Sequence, residues 1–312
     1  MTVWVGLLAI AVGWGASLFL PVPQNLKTNF DAGQSLYARE EYAGAILEYS
    51  KIVKFQSRAV RADSVRVKIG DELELPVVAA SWYQLGNAYK RSGKHDEAVQ
   101  AYKEIVATTE GVAEDFRSMV QYQLAETRFL QQQYEEAAKE YQAYVQLFPK
   151  SEVAGKAYYY SGWSQYNQKA YPEAVQTLRN MLAAYPTDRY APDAKFRIAS
   201  AHYELGMLDS AIVETEAITA EYPNNPVIAQ AVYLRAQALD KLERNDEAIA
   251  AYREVRMLYD RMFEMLRASF REGKNLDFEA YRALFETSSL RVAEIFRQEG
   301  KFEEAYQELV SV

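Results

Sequence analysis

The sequence predicts an all-α superhelical solenoid of about seven helix-turn-helix units, with one apolar helix before it and a small β-hairpin inserted into it. Three observations carry this prediction: a recurring period of 37 residues, a stretch of alternating apolar and charged residues near Gly70, and an N-terminus without charge. The chain has 312 residues, of which 49% are hydrophobic, so it is long enough for one extended repeat domain with its own core.

A small residue recurs at a nearly constant spacing along the chain. Successive alanines lie 39, 37, 37 and 37 residues apart at Ala98, Ala137, Ala174, Ala211 and Ala248. Prolines follow the same period, since Pro149, Pro186 and Pro223 are each 37 residues apart. Two independent features with one period indicate repeated units of two helices.

One unit shows the repeat pattern in full. It reads Trp82-Tyr83-Gln84-Leu85-Gly86-Asn87-Ala88-Tyr89, followed by Gly93, Ala98 and Tyr102. The small side chains at Gly86 and Ala98 allow the two helices to approach closely. A proline after the second helix, such as Pro149, ends that helix.

This pattern resembles the tetratricopeptide-repeat (TPR) family, and we expect the solenoid to cover residues 30–312. The 37-residue period, with Tyr-Pro or Phe-Pro at the end of the helix pair, is similar to the bacterial envelope type of this family. That type includes BamD-like and CpoB-like periplasmic proteins. The resemblance implies a protein scaffold in a cell envelope. One departure is that the chain has no cysteine, which excludes anchoring through a lipidated cysteine.

The first 25 residues form a separate segment without a charged side chain. Its apolar run would make a helix of about 29 Å, close to the thickness of the hydrocarbon core of a bilayer. A secretory signal peptide would carry basic residues, and none precedes Lys27, so an uncleaved anchor is favoured over a cleaved signal. We therefore expect residues 1–25 to be a transmembrane anchor or an uncleaved signal-like helix. The expected membrane contacts are Leu7, Leu8, Ile10, Leu18, Phe19 and Leu20.

The repeat is interrupted by an insertion at about 55–78, where residues 65–76 alternate between apolar and charged. This alternation predicts a β-hairpin. A three-residue turn at 70–72 gives one apolar face and one charged face, with the pairs Ile69–Leu73, Val67–Leu75 and Lys68–Glu74. The apolar face either docks a partner or packs on the first helices of the solenoid itself.

A second insertion, at about 256–285, lengthens a helix that begins at Asp246 and is expected to end at Arg271 or Glu272. The next helix is predicted at about 277–298. Methionine is adaptable and is common at protein-binding surfaces. The insertion therefore offers a candidate partner-binding cluster of Met257, Met262, Phe263 and Met265. Alternatively, the two long helices bury these side chains against each other.

The first helices of units two to six carry a ladder of side chains at two positions. The inner position holds Tyr83, Tyr122, Tyr159, Phe196 and Tyr233, and the outer position, seven residues later on the same face, holds Lys90, Phe129, Tyr166, Tyr203 and Asp240. Trp163 lies between them. The TPR resemblance implies that these helices line a concave groove for a peptide or a partner helix. The alternative is that the rings form the core between units, with the outer position the more exposed of the two.

The composition and the motifs argue against catalysis and against nucleic-acid binding. The net charge is −8, there is no cysteine, and the only two histidines, His95 and His202, lie in different units. We expect His95 in a solvated turn and His202 in a groove or packing position. We expect no enzyme activity, cofactor, metal or small-molecule substrate.

The expected function is a membrane-anchored, periplasmic scaffold that holds other proteins of a bacterial cell-envelope complex. The alternative is a soluble periplasmic adaptor in cell-wall or outer-membrane assembly, formed when a signal is cleaved.

Overall fold

The structure is a computed structural model that describes residues 25–54, 65–70, 73–107, 113–270 and 278–310; for 259–270 and 278–281 it describes the helical backbone alone. The described residues form fourteen helices and two strands. In chain order these are α1 (Leu26–Ala38), α2 (Tyr42–Val53), β1 (Arg66–Ile69), β2 (Leu73–Pro76), α3 (Val77–Arg91), α4 (His95–Ala107), α5 (Glu114–Leu130), α6 (Tyr134–Leu147), α7 (Ala154–Asn167), α8 (Tyr171–Ala184), α9 (Ala191–Glu204), α10 (Leu208–Glu221), α11 (Val227–Lys241), α12 (Asn245–Phe270), α13 (Phe278–Gln298) and α14 (Phe302–Val310). The predicted all-α solenoid with one β-hairpin is confirmed.

The predicted N-terminal anchor and its six membrane residues lie outside the described residues. Among the helices that the structure does describe, none has both the length and the apolar composition needed to cross a bilayer.

The helices form seven pairs, each consisting of a first helix (odd number) and a second helix (even number). The turn inside every pair contains one residue with a positive φ. This residue lies seven positions after the small residue of the first helix that corresponds to Gly86. These residues are Glu40, Gly93, Gln132, Lys169, Gly206, Glu243 and Gly300, with φ between 59° and 75°. The left-handed residue ends the first helix and turns the chain back, so the repeat in sequence is also a repeat in backbone conformation.

The predicted close approach of paired helices is confirmed at Gly86. A Cβ atom at Gly86 would lie 2.5 Å from Cε1 of Tyr102, which is a fully buried residue on the paired helix α4. Gly162 has the same role in α7, where a Cβ atom would lie 2.6 Å from the side chain of Leu178 on α8. Only a residue without a side chain lets these helices meet at this distance.

The chain divides into two compact units, Met1–Glu140 and Tyr141–Val312. In the first unit the β-hairpin has the predicted register, with Ile69 opposite Leu73, Val67 opposite Leu75 and Lys68 opposite Glu74. Gly70 takes a φ of 63°, as the turn requires.

The apolar face of the hairpin packs on the helices of its own unit. Val67 and Leu75 are 4% and 1% exposed and belong to the core cluster formed by α1–α5. The hairpin is also held by hydrogen bonds, since Gln34 Nε2 of α1 donates to the Lys68 carbonyl (2.9 Å) and the Val77 amide donates to the Val65 carbonyl (2.8 Å). This burial favours the packing interpretation over the docking interpretation for the apolar face.

In the second unit α12 is long, as predicted, and the structure describes it as far as Phe270. Val255 of α12 is 1% exposed and packs with Ile228, Val232 and Leu284. Met257 is 65% exposed. The side chains of Met262, Phe263 and Met265 lie outside what the structure describes, so their role remains a prediction.

Candidate protein-interaction surface

The inner positions of the ladder are buried at Tyr83, Tyr122 and Tyr159 and half-buried at Phe196 and Tyr233. The Tyr83 ring packs edge-on against Phe116 of α5, with centroids 5.3 Å apart. The Tyr159 ring stacks on Tyr190, the residue before α9, at 5.1 Å. The Tyr83 and Tyr159 rings therefore contribute to packing between successive helix pairs and leave little surface for a partner.

The outer aromatic positions retain more exposure, since Phe129, Tyr166 and Tyr203 are all half-buried. The Tyr166 ring rests edge-on against Tyr171 of the paired helix, at 5.3 Å. The Phe129 ring meets Tyr134 in the same way at 5.5 Å. The Phe129 and Tyr166 rings are thus each fixed on one side by the second helix of their own pair, while part of each ring stays accessible.

Charged residues take the outer position at the two ends of the ladder, and both form ion pairs with the next first helix. Lys90 Nζ lies 2.7 Å from a carboxylate oxygen of Glu126 on α5. Arg291 of α13 donates two hydrogen bonds to the Asp240 carboxylate, at 2.5 and 3.1 Å. These two positions therefore hold neighbouring pairs together.

Arg197 lies among the half-buried aromatic residues of the second unit, and its role was not predicted from the sequence. Its guanidinium carbon is 4.6 Å from the ring centroid of Trp163, 5.6 Å from that of Tyr166 and 5.9 Å from that of Phe196. A second cation, Lys241 Nζ, lies 3.9 Å from the Tyr203 ring centroid. Both geometries are cation–π contacts.

A signal for Arg197 was present in the sequence. The residues that directly follow the inner positions of the ladder are Gln84, Gln123, Tyr160, Arg197 and Leu234. Arg197 alone in this set carries a charge. We call the half-buried residues Trp163, Tyr166, Phe196, Arg197 and Tyr203, together with the exposed Lys241, the aromatic surface.

The hydroxyl groups of Tyr159 and Tyr166 stay neutral at physiological pH. Burial raises the pKa of Tyr159 to about 12, although the Arg197 cation acts in the opposite direction. Burial also raises the pKa of Tyr166. The aromatic surface thus combines neutral rings with the cations of Arg197 and Lys241, and the chain's own Asp193 and Glu204 carboxylates lie close enough to act on Arg197 and Tyr166.

The structure resolves the predicted alternatives for His202 in favour of packing. Its side chain is buried in α9, and its Nδ1 atom has no hydrogen-bond partner among the described residues. His95 begins α4 and is half-buried. Among the described residues, no group of three or more His, Asp or Glu side chains is arranged to hold a metal ion.

Burial of His202 lowers its pKa, partly opposed by Glu214. The unfolded chain therefore binds a proton at this histidine more readily than the folded chain, so stability falls as the pH drops below about 6.5, the ordinary histidine pKa. In His202→Leu, which copies the equivalent Leu239 of the next unit, this contribution is absent. We expect the urea midpoint to fall less between pH 7.5 and 5.5 than in the wild type. An equal fall in both proteins would contradict the assignment.

Comparisons with known proteins identify the repeats. The family described as tetratricopeptide repeat matches residues 30–113 and 83–152, and the family described as outer membrane lipoprotein matches residues 151–278. Comparison with curated protein sequences found no match.

Comparison with solved structures found similar chains, and the first one described below shares the fold. A tetratricopeptide repeat protein from Parabacteroides merdae is 14% identical, with a TM-score of 0.52 over 92% of each chain. The apo form of RapI is 14% identical over 91% of this chain and 94% of its own, with a TM-score of 0.49. MamA from Desulfovibrio magneticus RS-1 is 18% identical over 58% of this chain and 94% of its own, with a TM-score of 0.48.

The helix pairs, their small-residue contacts and these matches agree. Together the two family matches, over residues 30–152 and 151–278, support a tetratricopeptide-repeat family of BamD-like type. Families of this kind are in general non-catalytic scaffolds for protein–protein interaction.

Proposed function

We propose that this chain is a scaffold of a bacterial cell envelope that holds a partner protein on the aromatic surface of its second unit. The observation that carries the proposal is the position of Arg197, which lies over Trp163 and close to the Tyr166 and Phe196 rings. A guanidinium stacked on a ring is held in place, and the edge that carries its N–H groups can donate hydrogen bonds to a partner.

The residue types of the aromatic surface match those that dominate protein–protein binding energies, where Trp, Tyr and Arg are enriched. Tyr166 is fixed by Tyr171, and Tyr203 lies under Lys241, so little side-chain entropy is lost when a partner binds. The surface therefore suits an extended or helical partner segment that brings apolar side chains and at least one carboxylate.

The envelope location of the proposal is supported by the outer-membrane-lipoprotein match over residues 151–278, which include the aromatic surface. The chain has no cysteine to carry a lipid, so attachment would depend on the apolar residues 1–25. The second candidate form is a soluble periplasmic adaptor. Mass spectrometry of the mature N-terminus separates the two forms, because only the adaptor loses its first residues.

The double variant Tyr166→Ala plus Tyr203→Ala tests the proposed surface. Affinity capture with crosslinking from envelope extracts should recover at least about tenfold less of the partner than the wild type does, because each ring supplies more than about 1 kcal/mol at a binding hot spot. Both side chains are half-buried at the surface, and circular dichroism should show an unchanged fold.

The matched control is Val213→Ala, which removes a 64% exposed apolar side chain from the second helix α10. Its partner recovery should equal that of the wild type. Unchanged recovery with the double variant would contradict the proposed surface.

A further inference from the structure

His202 is a buried titratable side chain that the proposed function does not use. It lies in the last turn of α9 and is 6% exposed, and its Nδ1 atom has no hydrogen-bond partner among the described residues. The equivalent position of the other first helices, three residues after the small residue, holds Leu36, Tyr89, Arg128, Gln165, Leu239 and Phe296. None of these six side chains changes its charge between pH 5 and 8, so at this position of the repeat only α9 can take up a proton in that range.

The two charged groups that act on His202 come from the second helices packed against α9. Arg179 of α8 and Glu214 of α10 pair with each other, with Arg179 Nη2 3.3 Å from Glu214 Oε1. Burial has the largest effect on the pKa of His202 and lowers it, Glu214 opposes this effect, and the Arg179 cation adds to it. Among the described residues, no charged group of α7 or α11 acts on the imidazole. A proton on His202 would therefore add a cation beside Arg179, where the nearby carboxylate is already paired.

The backbone around His202 holds the turn that leads into α10. The Met207 amide donates to the His202 carbonyl (2.9 Å), and the Gly206 amide donates to the Tyr203 carbonyl (3.0 Å). Tyr203 belongs to the aromatic surface, where its ring lies under Lys241. The end of a helix opens at a lower free energy than its centre. Opening of this turn would let water reach the imidazole and would release Tyr203 from its position.

We propose that His202 is a proton-sensitive switch: below about pH 6.5 its protonation opens the end of α9 and weakens the binding of the partner to the aromatic surface. The inference rests on the proposed function, because Tyr203 is one of the residues assigned to partner binding. Acid favours the open turn because an exposed histidine has the ordinary pKa of about 6.5, whereas burial lowers the pKa of His202 in the closed turn.

Hydrogen exchange of the full chain at pH 7.5 and 5.5, corrected for intrinsic exchange rates, measures the opening. The Gly206 and Met207 amides should lose about five- to tenfold of their protection on acidification, the change that a histidine with an ordinary pKa gives over this range. The turn after α11 is an internal control, because there the Arg244 amide donates to the carbonyl of Leu239, which does not titrate. The protection of the Arg244 amide should not change.

Two variants test whether His202 is the group that titrates. His202→Leu copies Leu239, and the protection of Gly206 and Met207 in this variant should not depend on pH. Arg179→Gln keeps the histidine and removes its neighbouring cation. The loss of protection should be smaller in this second variant, because Glu214 can then pair with the imidazolium.

Partner capture at the same two pH values tests the consequence for binding. Recovery should fall at least about twofold from pH 7.5 to 5.5 with the wild type and clearly less with His202→Leu, since acid reduces the population of the binding-competent turn. PH-independent protection of Gly206 and Met207 in the wild type, or an equal fall in recovery with both proteins, would overturn the inference. The double variant Tyr166→Ala plus Tyr203→Ala at pH 7.5 tests the aromatic surface separately, because its recovery does not depend on the titration of His202.

Discussion

Gly86→Val lowers the free energy of unfolding by about 3 kcal/mol, a value at the upper end of the range for overpacked cores. The Cβ atom alone would lie 2.5 Å from the Tyr102 ring, and valine adds two further methyl groups. The ring has no space to withdraw, because Tyr102 is fully buried and its hydroxyl donates a 2.7 Å hydrogen bond to Asn87 Oδ1. Urea unfolding followed by circular dichroism measures the loss.

Gly44→Val is the control for this substitution. A Cβ atom at Gly44 would lie 3.3 Å from the terminal methyl carbons of Leu36, which can rotate away. The loss at Gly44 should be clearly smaller than the loss at Gly86. Equal losses in the free energy of unfolding would mean that the close approach of α3 and α4 is not the reason why position 86 requires glycine.

Leu75→Ala also lowers the free energy of unfolding by about 3 kcal/mol, as expected for a leucine removed from a packed core. Leu75 is 1% exposed and lies in the core cluster of the first unit together with Val67, its partner across the hairpin. The substitution leaves a cavity between the hairpin and the helices beneath it. The urea midpoint of the variant against the wild type gives the difference.

The control is Leu47→Ala, which removes a 60% exposed leucine from α2 in the same unit and should change stability by less than about 0.5 kcal/mol. The two interpretations of the hairpin make opposite predictions. If its apolar face served mainly to dock a partner, Leu75→Ala would reduce partner recovery with little loss of stability.

The sequence could predict the elements that depend on local patterns. The alternation of residues 65–76 sets both the existence and the register of the hairpin, because a shift by one residue would turn Val67 and Leu75 to the other face. The period of 37 residues locates the helix pairs, since each small residue marks a close contact between helices.

Other features depend on neighbours that are distant in sequence. The burial of Tyr159 follows from its stacking on Tyr190, 31 residues later, and the ladder pattern alone could not separate a core position from a binding position. The place of Arg197 over Trp163 depends likewise on how α9 packs beside α7.

Hydrogen exchange of the chain, measured with and without its captured partner, reports where the partner lies without any substitution. We expect the partner to slow amide exchange in α7 and α9, around Trp163, Tyr166 and Arg197. Protection confined to the hairpin or to the second helices α8 and α10, with α7 and α9 unchanged, would contradict it.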